Sequence, residues 1–592
     1  MLFAVAIKTV AESPDTVEPT YLRPTRTSQQ LMVGGNPFLM LPGQMHNSSF
    51  SSAEYMSKMW PKIESMNINT VLGSVTWQMI EPTEGNFDFS ELDQIILDSR
   101  EHSLHLVLLW FGSFKSATST YVPDWVKQDV KRFPRVHILV DNGKLKTVDL
   151  LSPFNVEACR ADAKAFAALM RHIKEIDSQY STVLMVQVEN ECGMLGDSRD
   201  RSYVATDSFE STVPEDLLKY LTTETELHLM FRKRWPYLKQ ALEHCENTSW
   251  ESVFGYGVAT EELFMADVFA RYVAWVVTAG KREYDIPMYT NCWLSPDGLS
   301  TLDLNTITKG RSTSAVAGGS HKVGAYPSGG PVPHLLDIWY MHTIDKGHLD
   351  FISPNLYLHD YGWICKQYSY KKRPLFIPEQ RADNAGARRA WLSYGSYSCI
   401  GCSPFGIDTV LSSEADRKIW QHTYGLLHRL SSHILEAQAQ RPESMFGFFF
   451  DEFDSRNVHE EWRYTFSDIA MEVVVERALV LGTPAPGYGL VIHRGEGKLL
   501  LAGAGFQVSF KSTNPRATFT GILSAAEKEI DEDGTLRTAR VLNGDEIASG
   551  RSMVMPSEQP DHGGFPMRIT VPARTYVAEV VAYSLEEDEE DI

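Results

Sequence analysis

Residues 183–191 read Val183-Leu184-Met185-Val186-Gln187-Val188-Glu189-Asn190-Glu191. A nearly unbroken apolar run is how a strand reads when both of its faces are covered, as in a parallel sheet flanked by helices. The polar residues arrive only where the run stops. The same grammar repeats on either side. Phe38-Leu39-Met40-Leu41 leads to Gly43-Gln44, Thr70–Val75 to Trp77, and His105–Leu109 to Trp110. Downstream, Pro287–Tyr289 leads to Asn291, Phe351–Ser353 to Asn355, Leu375–Ile377 to Glu379, and Cys399–Gly401 to Ser403.

Segments with helical period lie between these runs: 51–65, 92–102, 156–176, 259–280 and 413–435. Eight buried strands alternating with helices predict an α/β fold, a (β/α)8 TIM barrel over residues 37–440. Residues 1–36 read as an N-terminal extension. Residues 197–257 read as an insertion on the barrel face after strand four. Beyond 440 the texture changes to short strands separated by Gly and Pro turns. This predicts a C-terminal antiparallel β-sandwich over 441–592, ending in the acidic, disordered tail Leu585–Asp591.

Composition narrows the partners. The net charge of −21 argues against a nucleic-acid partner. Seven scattered Cys do not form a disulfide framework, and Cys399-Ile400-Gly401-Cys402 lacks the second pair that zinc would need. The start, Met1–Lys8, is apolar but lacks a basic leading region, and no 18-residue apolar run is found. The expectation is a cytoplasmic protein rather than a secreted one, with no membrane partner. Sequons occur at Asn47 and Asn247.

Barrel enzymes place their chemistry at the C-terminal strand ends. Glu191 ends strand four and Glu379 ends strand seven, so the two face each other across the mouth. A pair of carboxyls flanking one cavity is what cleavage of a glycosidic bond requires. Asn190 is placed to bind a hydroxyl beside the anomeric centre, Tyr357 to donate to Glu379, and Arg381 to keep Glu379 ionised. Trp77 and Trp110 are either a stacking wall for a sugar or rim core. His46 and Asn47 after strand one, and Asn291 and Trp293 after strand five, either bind hydroxyls or are structural. Lys115 either meets a hydroxyl or faces solvent. Glu81 and Glu84 are expected to fix the loop after strand two.

The string Val186–Gly193 resembles the strand-four motif of glycoside hydrolase family 35, chiefly β-galactosidases of the retaining barrel clan. Trp77–Phe89 resembles its strand-two segment and Pro374–Glu379 its nucleophile strand. Gly43–Ser49, Leu108–Lys115, Ser403–Asp408 and Leu542–Glu546 are similar to a bacterial and fungal subgroup with a C-terminal β-domain. The resemblance implies a retaining exo-β-glycosidase, first a β-galactosidase, with Glu191 as acid/base and Glu379 as nucleophile. It implies a glycoside or oligosaccharide substrate and no metal or organic cofactor; a homodimer is compatible with the size.

The sequence departs from the family in three places. No Glu follows strand three to hold a galactose ring, Cys192 replaces an aromatic, and Gln44 stands where the subgroup often has Glu. All three bear on the sugar rather than on the mechanism. The alternatives are the same mechanism on another sugar (β-glucosidase, β-xylosidase, β-galactofuranosidase), a transglycosidase, or a catalytically dead carbohydrate-binding protein.

Overall fold

The structure, a computed structural model, describes residues 18–140, 142–244, 248–299, 323–453, 457, 459–478, 482–531, 533–567 and 571–586. The leading segment Met1–Lys8, the Asn247 sequon and residues 587–591 of the acidic tail lie outside them.

Eight parallel strands form one sheet: β1 (Pro42–Gln44), β2 (Thr70–Thr76), β3 (His105–Lys115), β4 (Val183–Asn190), β5 (Met288–Trp293), β6 (Phe351–Leu356), β7 (Phe376–Gln380) and β8 (Gly401–Pro404). They neighbour one another in chain order. A parallel bridge between Gln44 and Phe405 closes the sheet, and the Gly406 amide donates to the Gln44 carbonyl at 2.9 Å. The closed sheet is the expected TIM barrel. Every residue of β2 and β4 is buried, as their apolar runs require. β1 and β8 start later than the runs Phe38–Leu41 and Cys399–Gly401 suggest, because apolarity continues into the residues that plug the barrel. Met40 and Ile400 pack inside with Leu72, Leu109, Tyr289 and Phe376. Leu31 joins that cluster from a small antiparallel sheet (Tyr21–Pro24, Gln29–Val33, Asn36–Pro37).

Two expected helices are broken. The segment 51–65 divides into Ala53–Ser57 and Trp60–Glu64, with Pro61 in the first turn of the second, where its missing N–H costs nothing. The segment 413–435 becomes Glu414–Arg429 and Ser431–Gln440. The helix Val258–Glu283 is long and apolar enough to cross a membrane, with a mean hydropathy of 1.3, although charged residues interrupt its apolar stretches. However, 72% of that window is buried inside the protein. It packs against helix Val156–Asp177 so closely that a Cβ on Gly280 would lie 2.2 Å from the Phe166 ring. Among the described residues, the insertion after β4 carries five short helices between Tyr203 and Phe254.

Beyond the barrel, a six-stranded and a four-stranded antiparallel sheet face each other. Phe446, Phe448 and Phe450 alternate along one strand and point into the core between them, with Val473, Leu501 and Val508. The opposite face of the six-stranded sheet lies on barrel helix Asn384–Ser396. A Cβ on Gly447 would come within 2.0 Å of the Trp391 carbonyl, so only glycine allows that approach. The six described cysteines are all buried and unbridged.

Candidate active site

The end of β4 is held in unusual backbone. Glu189 and Glu191 both have positive φ, 60° and 50°, which side-chain-bearing residues adopt at a cost of about 1–3 kcal/mol each. The surroundings hold them there. The Asn291 side-chain oxygen accepts from the Glu191 amide at 2.7 Å. The amides of Ser116 and Ala117 donate to the carbonyls of Asn190 and Glu191 at 3.1 and 3.2 Å.

This backbone turns the Glu191 carboxyl into a cavity of about 310 Å³ shared with Glu379. Asn355 Nδ2 donates to Glu191 Oε1 and Ser116 Oγ to Oε2, each at 2.8 Å. Glu379 receives the Tyr357 hydroxyl at 2.9 Å, Gln44 Nε2 at 3.3 Å and Asn190 Nδ2 at 3.4 Å. Asn355 and Glu379 are register partners on β6 and β7. The Asn that orients one carboxyl therefore sits level with the other.

Burial and the negative charge of Glu191 push the Glu379 carboxyl above the usual range. Lys115, the Tyr357 hydroxyl and the Gln44 amide pull the other way. Two carboxyls that repel in a shared cavity lose their protons in separate steps belonging to the pair. The three donors on Glu379 favour placing the negative charge there. Burial raises the Tyr357 hydroxyl well above its ordinary value, so it remains a donor.

Of the other expected residues, Trp293 and Tyr357 line the cavity. Asn291 lies beneath it, bonded to the Glu191 backbone and, at 3.2 Å, to Asn355. Trp77 and Trp110 take the core reading and build no sugar wall. Both are fully buried, Trp77 donating to Glu81 at 2.8 Å and Trp110 to Asp162 at 2.9 Å. Their rings pack outward, against Trp125 and Phe166. Glu81 also takes the Gly85 amide at 2.7 Å, fixing the loop after β2.

His46 and Asn47 do not line the catalytic cavity. His46 pairs with Asp408 at 2.7 Å on a separate hollow, and the Asn47 carbonyl takes the Ser74 hydroxyl. The Arg381 guanidinium is turned onto Asp383, at 2.8 and 2.5 Å, so the cation that favours ionised Glu379 is Lys115.

Three contacts escape sequence reading: Asn355, Ser116 and Gln44 in its role on Glu379. Asn355 falls two residues past its apolar run and Ser116 seven residues past its own, where nothing but register says which way a side chain points.

Beneath the cavity lies a second, fully buried carboxyl pair, Glu189 and Asp162. Its origin is a bulge: between the pairings Trp110–Val188 and Lys115–Asn190, four residues of β3 oppose one of β4. The amides freed there find carboxyl oxygens. Ser113 N donates to Asp162 at 3.0 Å and to Glu189 at 3.2 Å, and Phe114 N to Glu189 at 2.6 Å. Burial first, then the charge of Asp162 and a hydrogen bond to it, hold Glu189 well above the usual carboxylate range.

An acid whose pKa is raised on folding binds its proton better in the native state. Its contribution is therefore fully present below the unfolded value and is lost as pH rises toward the folded one. Glu189→Gln keeps an acceptor for the amides and supplies N–H to Asp162, so its unfolding free energy is expected to fall less between pH 5 and pH 8 than the wild type's. Glu189→Ala, which leaves buried N–H groups unmet, is expected to lose about 2–4 kcal/mol. Urea unfolding at the two pH values measures both, and parallel pH slopes for wild type and Glu189→Gln would refute the raised pKa of Glu189.

Residues 47–235 match the glycoside hydrolase family 42 model, described as Beta-galactosidase. Residues 420–554 match a model described as a domain of unknown function, DUF5597. A β-galactosidase from Xanthomonas manihotis is 24% identical over 208 residues, 35% of this chain and 31% of that protein. Human β-galactosidase-1-like protein 3 is 29% identical over 176 residues, 29% of this chain and 24% of that protein. The chain thus spans less than a third of the length of these curated relatives. Among solved structures, the β-galactosidase from Bacillus circulans sp. alkalophilus aligns over 67% of this chain and 57% of its own, with 13% identity and a TM-score of 0.42. The sequence matches make the chain similar to β-galactosidases of the glycoside hydrolase families and do not single out family 35.

Proposed function

We propose that the chain is a retaining exo-β-glycosidase, with a β-galactoside as the first substrate to test. The observation that carries this reading is the placement of Glu191 and Glu379 in one cavity, each with its own set of hydrogen-bond donors. The matches to β-galactosidases support the same class. Residues 37–440 are assigned as the catalytic unit and 441–592 as an accessory β-domain, and the finer likeness to the family 35 subgroup belongs to the same proposal.

In this mechanism Glu379 attacks the anomeric carbon while Glu191 passes its proton to the leaving oxygen. The C–O bond breaks and a glycosyl-Glu379 ester forms. Water, giving a proton to Glu191, then releases the sugar with its configuration kept. The separation of the two carboxyl groups in such enzymes is about 5–5.5 Å. The Gln44 Oε1 and Asn190 Oδ1 atoms are buried beside Glu379 with no hydrogen-bond partner among the described residues. Trp293 offers the ring wall that Trp77 and Trp110 do not. With no carboxylate after β3, recognition of the sugar falls to amides and Lys115.

A panel of nitrophenyl β-glycosides tests the reading. Turnover of the galactoside is expected; turnover of another β-glycoside keeps the mechanism and changes the sugar, and turnover of none counts against the exo-β-glycosidase reading and leaves an unusual natural substrate or a binding protein. Lys115 gives a second test. Its charge favours ionised Glu379, and activity needs that ionised form, which exists above its pKa. Lys115→Met removes the lowering influence, so the acid limb of the kcat/KM profile is expected to move to higher pH. An acid limb that stays in place would sink that role.

A further inference from the structure

The helix Val258–Glu283 buries most of its surface, yet one stripe faces water. Arg271, Trp275, Thr278 and Arg282 follow one another at spacings of four, three and four, which places them on one face. Lys346 and His348, from the segment before β6, stand opposite and complete a groove of about 420 Å³. On a chain with a net charge of −21, no carboxylate among the described residues lines this groove.

Its cations are unequally matched. Arg271 is held by Asp216 at 2.7 Å and Asp267 at 2.9 Å, and Lys346 reaches Asp216 only at 3.5 Å. Arg282 has no carboxylate within ion-pair distance among the described residues. The imidazole of His348 lies below its ordinary value through burial and then through the charges of Lys346 and Arg282, so the two cations converge on it. Its Nδ1 is 2.8 Å from the Thr278 hydroxyl, which itself donates to the Ala274 carbonyl; Thr278 therefore accepts from Nδ1–H, and Nε2 is left free for a ligand. Trp275 is 47% exposed in the middle of the stripe.

We propose that this groove is a second saccharide site, built for a glycan that carries a carboxylate or sulfate. Trp275 takes the apolar face of one ring, Arg282 and Lys346 take the anionic group, and His348 Nε2, an acceptor while Nδ1–H is held by Thr278, takes a sugar hydroxyl. A pyranose has one C–H face and a rim of hydroxyls, which suits a single aromatic wall with a polar floor. Trp275 and Arg282 are seven residues apart, about 10 Å of helix axis, so the site spans two sugar units. The overall negative charge disfavours a ligand with several charges, such as a nucleotide polyphosphate. None of this depends on the roles given to Glu191 and Glu379.

The test uses the full chain carrying Glu379→Gln, so that no probe is consumed. It is titrated with a glucuronyl-β-1,4-glucose disaccharide, cellobiose, sodium sulfate and AMP, following tryptophan fluorescence and heat. The acidic disaccharide is expected to bind at least about tenfold more tightly than cellobiose or sulfate, and Arg282→Gln or Trp275→Ala to weaken it at least about tenfold. Both residues are exposed, so the variants are expected to fold, and their circular dichroism checks this. Binding untouched by either substitution would put the sugar elsewhere and overturn the proposal. So would sulfate binding equally well, which means an anion site only, tighter binding of AMP, which means a nucleotide site, or no binding at all.

Discussion

Glu379→Gln is expected to lower kcat/KM on the best nitrophenyl glycoside by at least about 10⁴-fold, equivalent to about 5.5 kcal/mol of barrier. An amide oxygen cannot form the glycosyl ester, so what is removed is the reaction path rather than a contact that helps it. The substitution should leave the fold intact. Glu379 is ringed by donors, and an incoming NH2 group would face the amides of Gln44 and Asn190. Both of those amides have an oxygen without a partner among the described residues, so each can turn to accept. The loss should therefore appear in kcat, with thermal unfolding within a few degrees of wild type. Activity above about 1% of wild type would mean that another carboxylate attacks, since removal of a nucleophile costs far more than that.

The barrel was legible because its signal is redundant. Buried parallel strands must be apolar on both faces, and eight such runs between helices leave few alternatives. The carboxyl pair was legible for a related reason: a charged residue that directly ends a buried strand must open onto the barrel mouth or be paired. Glu189 shows the limit of that argument. It stands in the same short motif, two residues from Glu191, yet left-handed backbone at both residues sends one carboxyl under the bulge of β3 and the other into the cavity. Nothing in a run of residue types encodes that alternation.

Trp77 and Trp110 fail for a similar reason. Both end strands, but the indole N–H of each needs an acceptor, and Glu81 and Asp162 supply it behind the barrel wall. Asp162 lies on a helix fifty-two residues beyond Trp110, a pairing that spacing alone does not announce. Arg381 stands two residues from both Glu379 and Asp383, and local competition for a guanidinium settles its direction.

Glu191→Ala separates the two carboxyl roles and is the second large effect. Proton donation matters most when the leaving group is a poor one, so glycosides of alkyl alcohols or simple phenols are expected to lose about 10²–10⁴-fold in kcat/KM. A dinitrophenyl glycoside needs no proton on its leaving oxygen, and its first step should proceed nearly unchanged. The glycosyl ester on Glu379 then accumulates, because no base is left to activate water. A burst of dinitrophenol followed by a slow steady state, with a lowered KM, is the expected trace. Azide needs no base and fits the space left by the carboxyl. It is expected to speed the steady state and to give the β-glycosyl azide, since two inversions restore the starting configuration. An α-glycosyl azide would mean that azide had attacked the substrate directly in place of the missing carboxylate. In that case Glu191 would be the nucleophile and the two assignments would have to be exchanged, even though Ser116 and Asn355 donate to one carboxyl and Tyr357 to the other.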